Sequence, residues 1–289
     1  MSLIEVMDLS YSYSNSLPTP VAAINNINLK IEQGEIIGVI GHTGSGKSTL
    51  VQQLNGLLRP TSGKVFIDGE DIWENPKQIK KIREKVGLVF QYPEYQLFED
   101  TVKADIAYGP KNMGVSGDKL EASVELSAKA VGLKTELLSK SPFDLSGGEK
   151  RRAAIAGVIA MNPKVLIFDE PTAGLDPIGR EGILNIVKNC REKGGATVIM
   201  VSHSMEDIAA IADRILVMNS GSIAMFDTVE NVFKNADTLH KIGLNVPNIT
   251  KVFLKLREQG MDIPTNVYTM DDAVRVLTEY KMSGGNKNA

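Results

Sequence analysis

"GHTGSGKST", residues Gly41 to Thr49, is the stretch on which the fold turns. It follows the apolar run "IIGVI" (Ile36 to Ile40) and leads into "STLVQQLNGLLRP", where Leu50, Val51, Leu54, Leu57 and Leu58 recur at helical spacing and Pro60 marks the stop. A strand before and a helix after give weight to the pattern G-x-x-x-x-G-K-[ST] over Gly41 to Ser48. Glycines let backbone N–H groups close around phosphate oxygens, and the helix start turns its positive dipole end toward them. The residues expected to hold a nucleotide are therefore Gly41, His42, Thr43, Gly44, Ser45, Gly46, Lys47, Ser48 and Thr49. Lys47 would reach the β- and γ-phosphates, and Ser48 would offer its hydroxyl to Mg²⁺.

Outward from this loop, short apolar runs alternate with helical patterns: "VGLVF" (Val86 to Phe90), "VLIF" (Val165 to Phe168), "TVIMV" (Thr197 to Val201) and "RILVM" (Arg214 to Met218). Strands apolar on both faces imply a parallel sheet covered on both sides, hence an α/β fold. Between Gln91 and Pro163 no strand-like run occurs, and "DKLEASVELSAKAVGL" and "GEKRRAAIAGVIAM" read as helices, which predicts a helical subdomain at about 91–163 inserted into the core. Ser220-Gly221 predicts a hairpin joining "RILVM" to "SIAMF". Past about Val229 the pattern becomes short amphipathic helices separated by Pro247 and Pro264. The expected organisation is a core over 1–233, a helical C-terminal extension over 234–282, and a disordered tail over 283–289.

With 43% hydrophobic and 23% charged residues, the 289-residue chain has the composition of a globular protein rather than a disordered one. A formal net charge of -3 argues against a protein whose main partner is nucleic acid. Cys190 is the single cysteine, so no internal disulfide can form. The start "MSLIEVMDLSYSYS" lacks a basic segment followed by an apolar run, and "AAIAGVIAM" (Ala153 to Met161) falls far short of the roughly 20 residues that span a bilayer. The chain is expected on the cytoplasmic side, reaching the membrane only through a partner.

Two carboxylates, Asp169 and Glu170, end the buried strand "VLIFDE". At a strand end of an open α/β sheet one can hold a metal ion while its neighbour polarises an attacking water, so Asp169 is the expected metal residue and Glu170 the expected general base. His203 follows "TVIMVS" at another strand end, placed to contact the γ-phosphate. "LSGGE" (Leu145 to Glu149) offers a second anion site at a helix start, through Ser146 and the amides of Gly147 and Gly148. Alone it would read as a helix cap; beside the phosphate loop it needs a further explanation.

With these motifs in order, the chain resembles an ATP-binding cassette (ABC) ATPase from about Leu3 to Phe233. The resemblance implies an ABC-type P-loop core with N-terminal β elements and the inserted helices. It also implies ATP and Mg²⁺ as ligands, Tyr13 stacking on adenine, and Gln91 sensing the γ-phosphate and contacting the metal. Asp176 in "AGLDP" joins the nucleotide-binding set. Lys47, Gln91, Glu170 and His203 form the expected catalytic set. Tyr11 lies two residues from Tyr13, and an alternative is that both pack on a sheet edge. Two such cassettes dimerise head to tail, so "LSGG" of one closes over ATP on the other. Glu149 replaces the glutamine common there; a carboxylate near a γ-phosphate would repel it, so Glu149 is expected to point away or to make a helix-start hydrogen bond.

"FQYPEYQLFEDTVKADIAYGPKNMG" (Phe90 to Gly114) is similar to the corresponding segment of the ATPases of energy-coupling factor (ECF) transporters, in particular the second of their two ATPase subunits. This implies an importer of a vitamin, other micronutrient or metal ion. The implied partners are a different first ATPase, a multi-spanning coupling subunit docking near 91–105, and a separate substrate-binding membrane protein. Glu94, Glu99, Asp100 and Asp105 beside Tyr92, Tyr95, Leu97 and Phe98 suggest an apolar slot with an acidic rim for Arg-bearing helices. The alternative is a soluble ABC ATPase acting on nucleic acid or ribosomes. The acidic balance and the absence of a second cassette count against it.

Overall fold

The computed structural model describes residues 2–13 and 22–282; the expected tail at 283–289 lies outside the described residues. Two sheets form the core. An antiparallel sheet of order β2-β1-β4-β5 comprises β1 (Ser2–Ser12), β2 (Ala22–Glu32), β4 (Ser62–Ile67) and β5 (Glu70–Asp71). The second sheet runs β10-β9-β3-β8-β7-β6, from β3 (Ile36–Ile40), β6 (Val86–Val89), β7 (Val165–Asp169), β8 (Thr197–Val201), β9 (Arg214–Asn219) and β10 (Ser222–Thr228). Its pairs are parallel except β10 on β9, which is the hairpin expected at Ser220-Gly221.

Why the strands read as unbroken apolar runs is visible in how their side chains divide. Ile36, Ile40, Leu166, Phe168, Val198 and Met200 enter one buried cluster, whereas Ile37, Val39, Val165, Ile167, Ile199 and Val201 enter another. Alternate residues point to opposite faces, so burial of both faces removes the polar alternation of a half-exposed strand. Helices cover the first face. The antiparallel sheet, α1 (Lys47–Leu54) and α2 (Ile79–Lys85) cover the second. At Gly38 in β3 a Cβ would lie 2.4 Å from Cγ2 of Ile208, so glycine is what lets α7 (Met205–Ile211) pack directly on the strand.

Residues 91–163 hold α3 (Val102–Asn112), α4 (Asp118–Ala130) and α5 (Gly147–Ile159), and no strand. Arg151 on α5 joins this helical segment to the core. Its Nε and Nη2 donate to Glu94 Oε2 and Oε1 at 2.9 and 2.8 Å, and its Nη1 donates to the carbonyls of Pro171 and Ala173 at 3.2 and 2.9 Å. The guanidinium also lies 5.7 Å from the Tyr92 ring centroid. Its forked donors satisfy the segment after Gln91 and the segment after Glu170 at once.

After α6 (Pro177–Glu192), β8, α7, β9 and β10, the chain forms α8 (Val229–Lys234), α9 (Ala236–Lys241), α10 (Asn248–Glu258) and α11 (Met270–Met282). Leu239, Leu244 and Val246 are buried in the main cluster, so the chain packs with the core beyond residue 234. A separate small cluster of Phe253, Ile263, Val267 and Ala273 begins with α10.

Arg151→Ala should leave the partly buried Glu94 without its counter-charge and the carbonyls of Pro171 and Ala173 without their donor, a loss of about 3 kcal/mol, at the low end for a broken buried pair. Thermal unfolding followed by circular dichroism should show a fall in Tm of roughly 10 °C. A change below about 2 °C would remove Arg151 from this anchoring role.

Candidate functional site

The C-terminal ends of β3, β7 and β8 meet at one edge. Tyr13, Thr43, Gly44, Gly46, Lys47, Ser48, Thr49, Gln91, Asp169, Glu170 and His203 line a single cleft of about 420 Å³ there, with Ala22, Ala23 and Val201. Parallel register sets the arrangement: Val39 pairs with Val201, and Asp169 pairs with Val201 from the other side.

The phosphate loop is braced from behind. Ser45 N donates to His42 O at 3.1 Å, Gly221 N donates to Ser45 O at 3.1 Å, and His42 Nε2 lies 3.2 Å from Asn219 Oδ1 in the β9–β10 turn. Gly46, at φ 101°, sits where a Cβ would meet the Ala23 carbonyl at 2.6 Å, so conformation and space both demand glycine. Gly41, His42 and Ser45 form the back of the loop rather than the cleft wall. The carbonyls of Gly41 and His42 accept from Lys47 Nζ at 2.7 and 3.0 Å, while Ser45 Oγ is buried without a partner.

Burial pushes the Lys47 ammonium down from its usual value, against the pull of Glu170 and Asp169. Burial raises Asp169, opposed by a hydrogen bond from the Ser48 hydroxyl and by the Lys47 charge. Glu170, at φ 52° with its N–H donating to Val201 O at 3.0 Å, is raised by burial to about 7. His203 N donates to Glu170 Oε2 at 3.3 Å, and His203 Nε2 lies 3.1 Å from Oε1 without the angle of a hydrogen bond, so Oε1 stays unpartnered. His203 itself is lowered, first by burial and then by Lys47. The site thus holds an ammonium and an imidazole disfavoured as cations and two carboxylates disfavoured as anions, a set suited to a polyanion, a metal ion and an attacking water.

The donor chemistry fits Mg²⁺. The Ser48 hydroxyl and the Asp169 carboxylate are hard oxygens on the wall of one cleft. Among the described residues no group of three or more His, Cys, Asp or Glu could hold a metal ion. A cation at Ser48 and Asp169 therefore needs phosphate and water oxygens to fill its shell, as Mg²⁺ usually does.

Tyr13 donates to or accepts from Thr49 Oγ1 at 2.9 Å, and its exposed ring stands edge-on to Tyr11 with centroids 5.0 Å apart. The two tyrosines do share a side, and Tyr13 also reaches the phosphate-loop helix. Gln91 is exposed on the cleft wall after β6.

Ser146, Gly147, Gly148 and Asp176 do not line this cleft. Ser146 caps α5 in a capping box: its N–H and Oγ–H donate to Glu149 Oε2 at 2.9 and 2.6 Å, and Glu149 N returns a bond to Ser146 Oγ. Those bonds lower Glu149. Asp176 caps α6, accepting from Gly179 N at 2.7 Å.

The groove beside the helical segment differs from its expected form. A cavity of about 390 Å³ is lined by Leu97, Phe98, Asp105 and Tyr108, and by Lys80 and Arg83 among others. Glu94 is absent from it because Arg151 takes both its oxygens; Glu99 and Asp100 do not line it either. Asp105 Oδ1 accepts from the N–H groups of Phe98 and Glu99, and its Oδ2 is buried and unpartnered. The long-range partners of these side chains left no trace in the sequence. Thr172, Arg180, Ser204 and Asp207 were missed likewise, although Ser204-x-x-Asp207 carries the spacing of a helix start.

In metal-free, nucleotide-free buffer the raised Glu170 gives a signed prediction. Between its usual value of 4.5 and about 7 the folded chain binds a proton that the unfolded chain does not, so this group makes stability fall as pH rises through that window. Glu170→Gln lacks that dependence. From pH 5 to pH 8 the wild type should lose stability relative to the variant, on the order of 3 kcal/mol or several degrees in Tm. Parallel Tm–pH curves would contradict it.

The ABC transporter family model matches residues 24–173. An energy-coupling factor transporter ATP-binding protein, EcfA2, from Clostridium perfringens is 54% identical over 96% of this chain and 97% of the relative; its namesake from Caldanaerobacter subterraneus is 52% identical over the same shares. Among solved structures, cbiO1 of Clostridium perfringens, part of the cbiONQ transporter complex, has a TM-score of 0.75 at 36% identity over 87% of this chain and 98% of that one. The dimeric cassette MJ0796 bound to ADP and Pi has a TM-score of 0.70 at 28% identity over 78% and 98%. With a phosphate loop, two strand-end carboxylates and a histidine at one sheet edge, and with these relatives over nearly its whole length, the chain belongs to the ABC transporter ATPases and, within them, to the energy-coupling factor transporter ATP-binding proteins.

Proposed function

We propose a division of labour for the ATP hydrolysis that this subunit performs in an energy-coupling factor importer. The observation that carries it is the meeting of Lys47, Asp169, Glu170 and His203 in one cleft. The phosphate-loop amides and Lys47 hold the β- and γ-phosphates, and Tyr13 stacks on adenine. Ser48, Asp169 and Gln91 are the residues that would hold Mg²⁺, which when bound neutralises phosphate charge. Glu170 orients and deprotonates the attacking water; its neighbour His203 steadies the γ-phosphate from the other side.

Because Ser146, Gly147, Gly148 and Asp176 lie off the cleft, they serve a second site, on a partner ATPase facing this one head to tail. In the ECF setting that partner is the different, first ATPase, and α10 and α11 contribute to the contact. The coupling subunit docks in the groove at Leu97, Phe98 and Asp105, where the unpartnered Asp105 Oδ2 would accept from an arginine. Among the described residues no helix is long and apolar enough to cross a membrane, so attachment to the cytoplasmic face runs through that subunit. A separate substrate-binding membrane protein meets the vitamin, micronutrient or ion. Nucleic acid has no part in this reading.

Glu170→Gln should retain ATP binding within a few-fold while turnover falls by roughly 10²–10⁴, the usual range for loss of a general base; equal steady-state hydrolysis would contradict the assignment. A mild-detergent pull-down of the tagged chain should bring down a different ABC ATPase and a multi-spanning protein. Asp105→Asn should weaken recovery of the latter without affecting the former. Ribosomal or nucleic-acid partners alone would overturn the importer assembly.

A further inference from the structure

Asp207, in the first turn of α7, is a carboxylate 1% exposed, and both its oxygens are engaged. Oδ1 accepts from Arg180 Nε at 2.5 Å, and Oδ2 accepts from the Thr172 hydroxyl at 2.8 Å. Its backbone N–H donates to Ser204 Oγ at 3.1 Å, and Arg180 Nη2 donates to that same oxygen. Thr172 lies two residues after Glu170, and Ser204 directly follows His203. Four side chains therefore tie together, at one buried point, the two backbone segments that leave the catalytic carboxylate and the imidazole.

We propose that Arg180 and Asp207 are positioning residues for hydrolysis, holding the segments after Glu170 and His203 at the separation that sets these two groups against each other. The proposal rests on the roles given above to Glu170 and His203. It follows from where the network ends. Ser204 also caps α7, but helix packing and capping alone give no reason for the pair's bond on Thr172. Here Asp207 accepts from Thr172, and Arg180 donates to Ser204 while bonding Asp207. The His203 N–H, 3.3 Å from Glu170 Oε2, and Nε2, 3.1 Å from Oε1, are the approach this arrangement maintains. The catalytic effect of that approach is steep in distance: a misplacement of about 1 Å costs up to roughly 100-fold in rate. Arg180 is the useful handle, because its side chain is 38% exposed whereas that of Asp207 is 2% exposed. Removing it takes one donor from Ser204, which keeps the Asp207 N–H and Glu206, but leaves the Asp207 carboxylate buried without its counter-charge, so an uncharged change at Thr172 stands beside it.

The test uses the full chain purified with the partner subunits it brings from native membranes. Steady-state kcat and KM for ATP, nucleotide sites per chain titrated with a fluorescent ATP analogue, and Tm are measured on the same samples. Arg180→Ala should lower kcat by about 10- to 100-fold, with KM within about threefold and the number of nucleotide sites unchanged. Thr172→Val removes only the donor to Asp207 Oδ2 at nearly constant volume. It should show the same split at about three- to tenfold, and it carries the test if Arg180→Ala does not fold. The proposal is overturned if kcat stays within about twofold of wild type, or if nucleotide sites and Tm fall in proportion to kcat, as a structural role predicts. Glu170→Gln run alongside separates the two levels: an active Glu170→Gln removes the catalytic reading itself, whereas an inactive one beside a fully active Arg180→Ala removes only the positioning pair.

Discussion

The parallel register of β3, β8 and β7 is the constraint on which everything at the cleft depends. Val39 and Asp169 both pair with Val201, and the hydrogen bonds of that ladder continue past the strand ends, with Ser202 N donating to Val39 O and Glu170 N donating to Val201 O. Phosphate loop, carboxylates and histidine consequently emerge side by side from three strands far apart in sequence. A slip of one residue in any of them would send alternate side chains to the wrong face, exchanging the two buried clusters, and would carry Asp169 away from Ser48. Because both faces are apolar, such a slip is penalised on both, so the functional edge inherits its accuracy from the core.

Charge at that edge is arranged against itself. Lys47 is lowered, and Asp169 and Glu170 are raised, each chiefly by burial; Asp169 opposes the charge on Glu170, whereas Lys47 and the carboxylates stand close enough to favour each other's charged forms. Their mutual attraction falls short of the solvation they give up, which is the usual state of groups set for a ligand rather than for one another. A triphosphate would supply the negative groups that Lys47 and the loop amides lack, and a divalent cation the positive one that the carboxylates lack. Ser45 stands outside this account: its buried, unpartnered hydroxyl sits behind the loop, whose curvature is braced by the turn at Asn219 to Gly221.

Much of this was legible in the sequence, for definable reasons. The five central strands show as apolar runs because burial on both faces removes any polar interruption, and the nucleotide candidates show because their chemistry is compressed into a few adjacent residues. The Ser146–Glu149 capping box could be read from spacing alone. Features made by distant pairs could not. Glu94 looked like a rim carboxylate, but Arg151, 57 residues away, claims it. The helical extension was expected from 234, yet Leu239, Leu244 and Val246 bury in the main core, since an amphipathic stripe states that a face is covered without saying by what.

The segment from Pro171 to Asp176 gathers these strands of argument. On one side Arg151, anchored by Glu94 in the segment after Gln91, holds the carbonyls of Pro171 and Ala173. On the other, Asp207 holds Thr172 and, through Arg180, the first turn of α6 behind Asp176. The chain leaving Glu170 is thus fastened both to the helical segment, which also forms the groove at Asp105, and to the histidine segment. A motion of the helical segment that kept the Arg151 bonds intact would have to drag Pro171 and Ala173 with it. It would pull on Glu170, the residue before Pro171, and at the same time work against the bond between Thr172 and Asp207. The segment after Gln91 is therefore mechanically joined to the carboxylate through the hydrogen bonds of Glu94 and Arg151, and the stiffness of the chain leaving Glu170 resides in Arg151 on one side and Arg180 on the other.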